Sequence, residues 1–319
     1  MAAVTEIPSD DIAHIGDYKA NSLWRLTVRR LFRQRSAIVG MIILAILIIV
    51  AVFAPVIAPY EPTAVLIGVE DVKKREAPCI HLLGCPEDRP QHIMGIDGNV
   101  RDVFSRIVYG TRVSLRIGLF TVTIAVTIGT LLGATAGFIG GWLDNLIMRL
   151  MDVILAFPFF LLAIAIVFVL GPGLQNAMFA IAIVSMPAYA RVVRATVLSL
   201  RETDYVEASR ALGASNTQIL FSRILPNALP PLIVLATLGV ATAILDTAAL
   251  SFLGLGAQPP TPEWGTMLGS ERNQIFSAPH LVFIPGFAIS ITVLAFNLLG
   301  DGLRDALDPR LVHAGVKSE

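Results

Sequence analysis

The chain has 319 residues, of which 55% are hydrophobic and 15% charged, with a formal net charge of zero. Soluble domains are about 45–50% apolar and about 25% charged, so both values depart toward a lipid environment. This composition excludes a disordered chain, a collagen and a small disulfide-packed protein, and the balanced charge argues against wholesale nucleic-acid binding. Residues 38–52 contain no charge at all, which is typical of a membrane-spanning segment.

Long apolar stretches predict six transmembrane helices, because about 20 apolar residues are needed to cross the hydrocarbon core. We therefore predict an all-α polytopic membrane protein. The first span is too long and begins too far from Met1 for a signal peptide, so we interpret it as a retained anchor. The predicted spans cover residues 37–58, 113–139, 151–170, 174–192, 231–255 and 281–299.

The distribution of arginine predicts the orientation, because basic residues concentrate on the cytoplasmic side of the membrane. Arginines precede the first span and follow the fourth, whereas the loop between the fifth and sixth spans has Arg272 alone. We expect both termini in the cytoplasm. The predicted organisation is a cytoplasmic segment at 1–36, the first span, an extracytoplasmic loop at 59–112, a core domain at 113–301 with five spans and a cytoplasmic loop at 193–228, and a cytoplasmic tail at 302–319.

Cys79 and Cys85 lie in the segment that this topology places on the oxidising side. A disulfide that closes this short loop is the favoured interpretation. A metal site formed by both cysteines with His81 and His92 is a second possibility, although the spacing matches no standard zinc pattern. Free thiols are the third.

Lysine is scarce in this chain, and none of its four lysines follows a glycine. The glycine-rich loop that cradles phosphates in many ATPases, G-x-x-x-x-G-K-[ST], is therefore absent. If ATP drives this protein, another chain must hydrolyse it.

The loop at 193–228 carries a coherent set of helix signals. Asp204 and Glu207 have the spacing of a capping box, Gly213 suits a left-handed helix end, and Ser215 with Gln218 begins a second box. We expect two short helices joined at 213–214, the second ending at Pro226.

Three interpretations of this helix pair compete. It could simply close the loop, it could be a helix-turn-helix DNA reader, or it could dock onto a cytoplasmic partner. A DNA reader is improbable because its docking helix would be held at the membrane with Arg223 as the one base. Small residues would let such a docking element seat in a groove, with an apolar face formed by Ala208, Ala211 and Leu212.

A resemblance distinguishes between these interpretations. The loop resembles the E-A-A…G…I-x-L-P loop of ATP-binding-cassette (ABC) importer permeases through Glu207-Ala208-Ser209, Gly213 and Ile224-Leu225-Pro226. It departs from that pattern at Ser209, which replaces an alanine, and in having no residue between Ile224 and Leu225. Further stretches are similar to the second permease subunit of dipeptide and oligopeptide importers. These are residues 95–115, where Ile96 and Val100 depart from the usual threonine and glycine, and residues 250–256, 262–268 and 300–310.

The resemblance implies the type I ABC importer permease fold, with an extracytoplasmic insert after the first helix. It also implies a second homologous permease subunit, two ATP-binding ATPase subunits and an extracytoplasmic peptide-binding protein as partners, with ATP and Mg²⁺ on the ATPases and no cofactor in this chain. The cytoplasmic loop would insert into a cleft on one ATPase. The residues expected at that contact are Glu207, Ala208, Ser209, Arg210, Gly213 and Ala214.

Glycines at 129, 133, 137 and 141 repeat every four residues near the end of the second span. This stripe predicts close approach by another helix, and a functional hinge is the alternative.

Asp246 lies within the fifth span, where a charge costs about 2.5–3.5 kcal/mol or more in lipid. We expect it to face the translocation path, and interhelical hydrogen bonding or a neutral buried acid are the alternatives. A self-sufficient proton-coupled transporter that uses Asp246 is the rival function. We find neither the internal repeats that would favour that rival nor a catalytic triad.

Glu263 and Trp264 are expected on the outer surface between the last two spans. The tryptophan ring could anchor at the membrane interface. Alternatively, both residues could receive the extracytoplasmic binding protein.

Overall fold

The computed structural model describes residues 28–307, and this part of the chain is helical with isolated β-bridges but no sheet. The all-α prediction is confirmed. Parts of the predicted terminal segments, residues 1–27 and 308–319, lie outside the described residues. The helices are α1 (Arg35–Val52), α2 (Ala54–Ile57), α3 (Val103–Ile139), α4 (Gly141–Leu155), α5 (Phe159–Leu170), α6 (Leu174–Arg201), α7 (Asp204–Ala211), α8 (Asn216–Ile219), α9 (Leu225–Phe252), α10 (Trp264–Glu271) and α11 (His280–Leu307).

Five continuous helical stretches are long and apolar enough to span a membrane: α1, α3, α6, residues 216–252 and α11. The consecutive pair α4 and α5 would make six spans if it crosses as one unit. At about 1.5 Å per residue, the 37 residues of α3 extend about 55 Å, well beyond a hydrocarbon core of about 30 Å. The additional length begins ten residues before the predicted start at 113.

The third predicted span, 151–170, is wrong as a single helix. The chain bends by 93° between α4 and α5. Pro158 lies at the bend and has an extended ψ of 129°. The helix is interrupted here because proline has no amide N–H to donate and disfavours a helical conformation at the residue before it. Apolar composition continues through this bend, which is why composition alone did not reveal it.

The prediction that Pro226 ends a helix is also wrong. A π-helical turn at Leu220–Ile224 leads directly into α9, and Pro226 lies in the first turn of α9. Proline is tolerated there because the first amides of a helix have no intrahelical acceptor. The wider π turn inserts an extra residue into the helical path without breaking it.

The glycine stripe of α3 packs against α6, as predicted for three of its four members. A Cβ added at Gly129 would lie 2.8 Å from the Cβ of Tyr189, one added at Gly133 would overlap the carbonyl oxygen of Ala190, and Gly137 is equally close to α6. Gly141 lies beyond the end of α3 with open space around it. The stripe therefore brings the backbones of α3 and α6 into contact at the centre of the bundle.

The insert, residues 58–102 between α2 and α3, folds over one end of the bundle. Its small core contains Leu66, Ile96 and Val100. Helix α10, which lies between the last two spans, packs closely onto the same end, since Gly265 has no room for a side chain against Ala248 of α9. The α7–α8 element, residues 202–219, lies between α6 and α9.

Candidate functional site

The α7–α8 element begins differently from the sequence prediction. Thr203, not Asp204, is the N-cap of α7, and its hydroxyl donates back to the carbonyl of Leu200 (2.5 Å) rather than accepting from the helix. The predicted Asp204–Glu207 capping box is therefore wrong. Both carboxylates lie in the first turn of α7 instead, where negative charge favourably opposes the helix dipole.

The turn between the two helices is a Schellman motif. The amide of Gly213 donates to the carbonyl of Arg210 (3.0 Å), and the amide of Ala214 donates to the carbonyl of Ser209 (3.1 Å). Gly213 has a φ of +84°, a left-handed conformation that side-chain-bearing residues rarely adopt. Ser215 then caps α8 by accepting from the amide of Gln218 (3.3 Å). The sequence prediction for this turn is confirmed, and the element has a defined shape.

Burial divides the α7–α8 element into an anchored side and an open side. Val206 and Ile219 have no exposed surface and hold the element against the bundle. The open side includes Leu212, which is 89% exposed. Of the six expected contact residues, Glu207, Ala208, Arg210 and Gly213 are exposed, and Ser209 and Ala214 are half-buried.

The charged members of the open side are not engaged by neighbouring ions. The salt bridges at this end of the bundle join Arg191 to Asp152, Arg194 to Asp144 and Arg201 to Glu202. Within residues 28–307, they leave out Glu207 and Arg210. These two side chains are therefore available to a partner.

Asp246 is half-buried on α9, at the edge of a helix face that the described part of the chain leaves uncovered. Leu245 and Leu253 on the same face are 50% and 55% exposed. The opposite face of α9 packs through Val240 and Ile244 against Gly118 of α3. No salt bridge involves Asp246 among the described residues. Because exposure of a carboxylate to lipid is expensive, lipid is an unfavourable environment for this face.

Glu263 and Trp264 do not form an outer docking surface, because each is only 1% exposed. The carboxylate of Glu263 caps α10 by accepting from the amides of Gly265 (2.9 Å) and Thr266 (2.8 Å). The indole N–H of Trp264 donates to the carbonyl of Ile107 on α3 (3.1 Å). Burial raises the pKa of Glu263, and the capping hydrogen bonds oppose this rise. Both residues position α10 within the fold.

Sequence reasoning missed the hydrogen bonds of charged side chains that join the insert, α3 and the segment around α10. Glu271, at the end of α10, accepts from the Arg75 guanidinium (2.8 Å) and from the amide of Gly98 (2.9 Å). Arg106 of α3 donates to the carbonyls of Pro62 (2.9 Å) and Pro260 (3.2 Å). Three of these four contacts join residues that are 154 to 196 positions apart. The high charge density of the insert was the one available signal.

Cys79 and Cys85 form a disulfide whose Cα atoms are 5.4 Å apart. Both sulfurs are therefore unavailable as metal ligands. His81 and His92, the other members of the alternative metal set, have different partners: His81 contacts the carbonyl of Arg89 (2.8 Å), and His92 lies between two carboxylates.

The chain matches two described protein families. Residues 129–313 match the binding-protein-dependent transport system inner membrane component family. Residues 22–78 match the N-terminal transmembrane domain of oligopeptide transport permease C. The first match includes the α7–α8 element and α9, and the second includes α1 and the beginning of the insert.

Individual relatives extend the similarity over nearly the whole chain. A dipeptide transport system permease protein, DppC, from Alkalihalophilus pseudofirmus is 50% identical over 296 residues, 92% of each chain. A glutathione transport system permease protein, GsiD, from Escherichia coli is 46% identical, covering 90% of this chain and 91% of the relative. The fold is similar to the inward-facing MetNI methionine ABC transporter, with a TM-score of 0.52 and 23% identity over 64% of this chain and 97% of that one.

Proposed function

Because this chain belongs to the family of binding-protein-dependent transport system inner membrane components, we propose that it is the second permease subunit of an ATP-driven importer of di- and oligopeptides. The family match covers residues 129–313, and the chain is a multi-pass protein of the inner membrane. Its similarity to a dipeptide permease at 50% identity and to glutathione permeases at 46% supports small peptides as the substrate class.

The proposed complex contains a second homologous permease, two ATPase subunits and an extracytoplasmic peptide-binding protein. The sequence has no lysine-bearing phosphate loop, so ATP and Mg²⁺ would bind on the ATPase subunits and no cofactor is required in this chain. Work must then reach the permease by contact between chains. The arginines that flank the spans support cytoplasmic termini and an extracytoplasmic insert.

The exposed and internally braced α7–α8 element is the observation that carries the coupling proposal. Its Schellman turn and its buried anchors Val206 and Ile219 oppose local deformation. Its exposed small and charged residues are open to a partner. A rigid element transmits a displacement of the ATPase to α6 and α9, to which it is directly joined, and alternating access follows from their movement.

Ala208→Arg tests this coupling. Ala208 is exposed, so a large side chain there leaves the permease fold intact but obstructs a docking groove. We expect peptide uptake and peptide-stimulated ATP hydrolysis to be lost in the reconstituted complex. Ala208→Ser, which stays small, should retain both activities. Normal coupling in Ala208→Arg would contradict the proposal.

Composition of the purified complex tests the partners. We expect affinity purification followed by mass spectrometry to recover two ATPase subunits and a second permease with this chain. Transport by the isolated chain without ATP would contradict the importer and favour the proton-coupled alternative.

Asp246→Asn tests the proposed role of this carboxylate in the translocation path. If its charge assists peptide passage, uptake should fall in Asp246→Asn and be largely retained in Asp246→Glu, with complex assembly unchanged in both. Equal uptake by wild type and Asp246→Asn would remove the charge from the mechanism.

A further inference from the structure

The insert contains a histidine whose two ring nitrogens both face carboxylates. Nδ1 of His92 lies 2.9 Å from Oδ1 of Asp102, and Nε2 lies 3.0 Å from Oε2 of Glu70. The imidazole is only 3% exposed. Besides these two acids, Tyr60 faces the ring, with its centroid 5.3 Å away.

This geometry favours a proton on both nitrogens. A neutral imidazole has one N–H, so one of its nitrogens would direct a lone pair at a carboxylate, whereas the imidazolium donates to both. Burial by itself lowers the pKa of His92, but the hydrogen bonds and charges of Asp102 and Glu70 outweigh burial and raise the pKa above 6.5.

One side of this cluster is firmly attached to the bundle. Asp102 is the N-cap of α3, and its second oxygen accepts from the amide of Ser105 (2.7 Å). The side chain of Asp102 is 2% exposed. The backbone carbonyl of His92 accepts from the amide of Cys79 (2.9 Å), which joins the histidine to the disulfide loop.

The other side of the cluster lies closer to solvent. The side chain of Glu70 is 22% exposed, and its second oxygen accepts from the hydroxyl of Tyr60 (2.8 Å). Burial and the neighbouring Glu70 raise the pKa of Tyr60 to about 12, so this hydroxyl stays protonated at ordinary pH. When His92 loses its proton to solvent, Glu70 is the carboxylate that can turn to water, because its side chain is 22% exposed whereas that of Asp102 is 2% exposed.

We propose that His92 is a proton-binding site that fastens the turn at residues 66–72 of the insert to the start of α3, and that this attachment weakens as the medium facing the insert becomes alkaline. The histidine pKa is raised in the attached state, so the stabilisation is fully present below pH 6.5 and is lost as the pH rises through the higher pKa. The proposed orientation identifies this medium as the extracytoplasmic one, and the proton site itself does not depend on it.

Hydrogen–deuterium exchange on the purified, disulfide-intact complex at pH 5.5 and 8.5 tests the proposal. After correction for intrinsic exchange, we expect amide protection at 66–72 to be lower at pH 8.5, with protection in α3 retained. The loss should be about tenfold for each unit by which the pKa in the attached state exceeds that in the detached state. Equal protection at both pH values would overturn the proposal, whereas failure of the transport assays would not affect this result.

Matched variants assign the pH dependence to one residue. His92→Gln should abolish it, and His81→Gln, a change in the same insert at a histidine that faces a carbonyl, should leave it as in wild type. Glu70→Gln keeps the histidine but removes one carboxylate, so the loss of protection should become smaller. It is the decisive variant if His92→Gln does not fold. An unchanged pH dependence in Glu70→Gln or His92→Gln would contradict the assignment.

Discussion

The insert at one end of the bundle and the α7–α8 element at the other both lie outside the long helices, yet their charged side chains are used in opposite ways. In the insert, Asp97 and Arg101 pair while largely buried, and Glu271 of α10 receives Arg75. In the α7–α8 element, Glu207 and Arg210 point outward without an ionic partner among residues 28–307. The first region pairs its buried charges internally, whereas the second presents charges that have no ionic partner among the described residues.

The contrast indicates which region has its buried charges satisfied within one chain. A buried charge must be paired and hydrogen-bonded, so the ionic network of the insert is explained by folding alone. The α7–α8 element is braced by Gly213 and by the buried Val206, but its exposed Leu212 and its two outward-pointing charged side chains are not packed or paired among residues 28–307. A rigid element with exposed apolar surface and charges that lack ionic partners is suited to contact with another subunit.

Trp264→Ala should produce the largest loss of stability, because Trp264 is a buried structural residue and not part of a docking surface. Removing this fully buried indole should lower the free energy of unfolding by about 3–5 kcal/mol. Leu212→Ala, at an exposed site on the opposite end, should change it by less than about 0.5 kcal/mol. Denaturation of the purified complex measures both. A small effect at Trp264 would contradict the structural role given to α10.

Glu271→Gln and Glu207→Gln compare the α10 carboxylate that receives Arg75 of the insert with a carboxylate of the α7–α8 element. Loss of the charged acceptor for Arg75 and Gly98 should cost about 1.5–3 kcal/mol of unfolding free energy. Glu207→Gln should cost at most about 0.5 kcal/mol, but it should weaken the coupling of ATP hydrolysis to transport. Unfolding and ATPase activity should be measured for each variant. A large stability loss in Glu207→Gln, or a coupling defect without a stability loss in Glu271→Gln, would contradict the roles assigned to these two carboxylates.

The Cys79→Ser/Cys85→Ser variant should have an intermediate and local effect. The disulfide closes a short loop, for which the loss of chain entropy in the unfolded state corresponds to about 2 kcal/mol. Hydrogen exchange should accelerate in the insert and stay unchanged in the α7–α8 element. Equal acceleration at both ends would show that the two regions are not independent.

Ser209→Ala should have the smallest effect. The Ser209 hydroxyl donates to the carbonyl of Tyr205 (2.7 Å) within α7, and alanine has the higher helix propensity, so stability should rise by about 0.5 kcal/mol or less. Transport should be retained, because the hydroxyl bonds inside the helix. A loss of transport without a loss of stability would show that Ser209 contacts a partner.

Much of the fold was predictable because apolar stretches and turn residues act locally. The long spans follow from the cost of burying polar groups in lipid, and the left-handed turn at Gly213 follows from the conformational freedom of glycine. The contact of Gly129 and Gly133 with another helix also follows from their spacing. Which helix they contact could not be deduced from the spacing.

Other features could not be predicted because they depend on distant segments. In the sequence, Glu263 and Trp264 look like surface residues in a loop. In the structure, the indole donates to a carbonyl of α3, and the carboxylate accepts from the first amides of α10. The predicted cap at Asp204 was wrong because Thr203 is the N-cap of α7. The predicted helix end at Pro226 was wrong because the π turn at Leu220–Ile224 continues directly into α9. In each case, tertiary packing or local geometry overrode a valid short-range preference.

The sequence by itself determined that this chain is a helical membrane protein with a tight turn at Gly213, because hydrophobicity and turn chemistry are properties of neighbouring residues, and its resemblance to importer permeases indicated the family. Only the tertiary structure decided which charges are buried, which helix bends and which carboxylates enclose His92. Those contacts join residues from 10 to nearly 200 positions apart, and no pattern along the chain specifies which of them will meet.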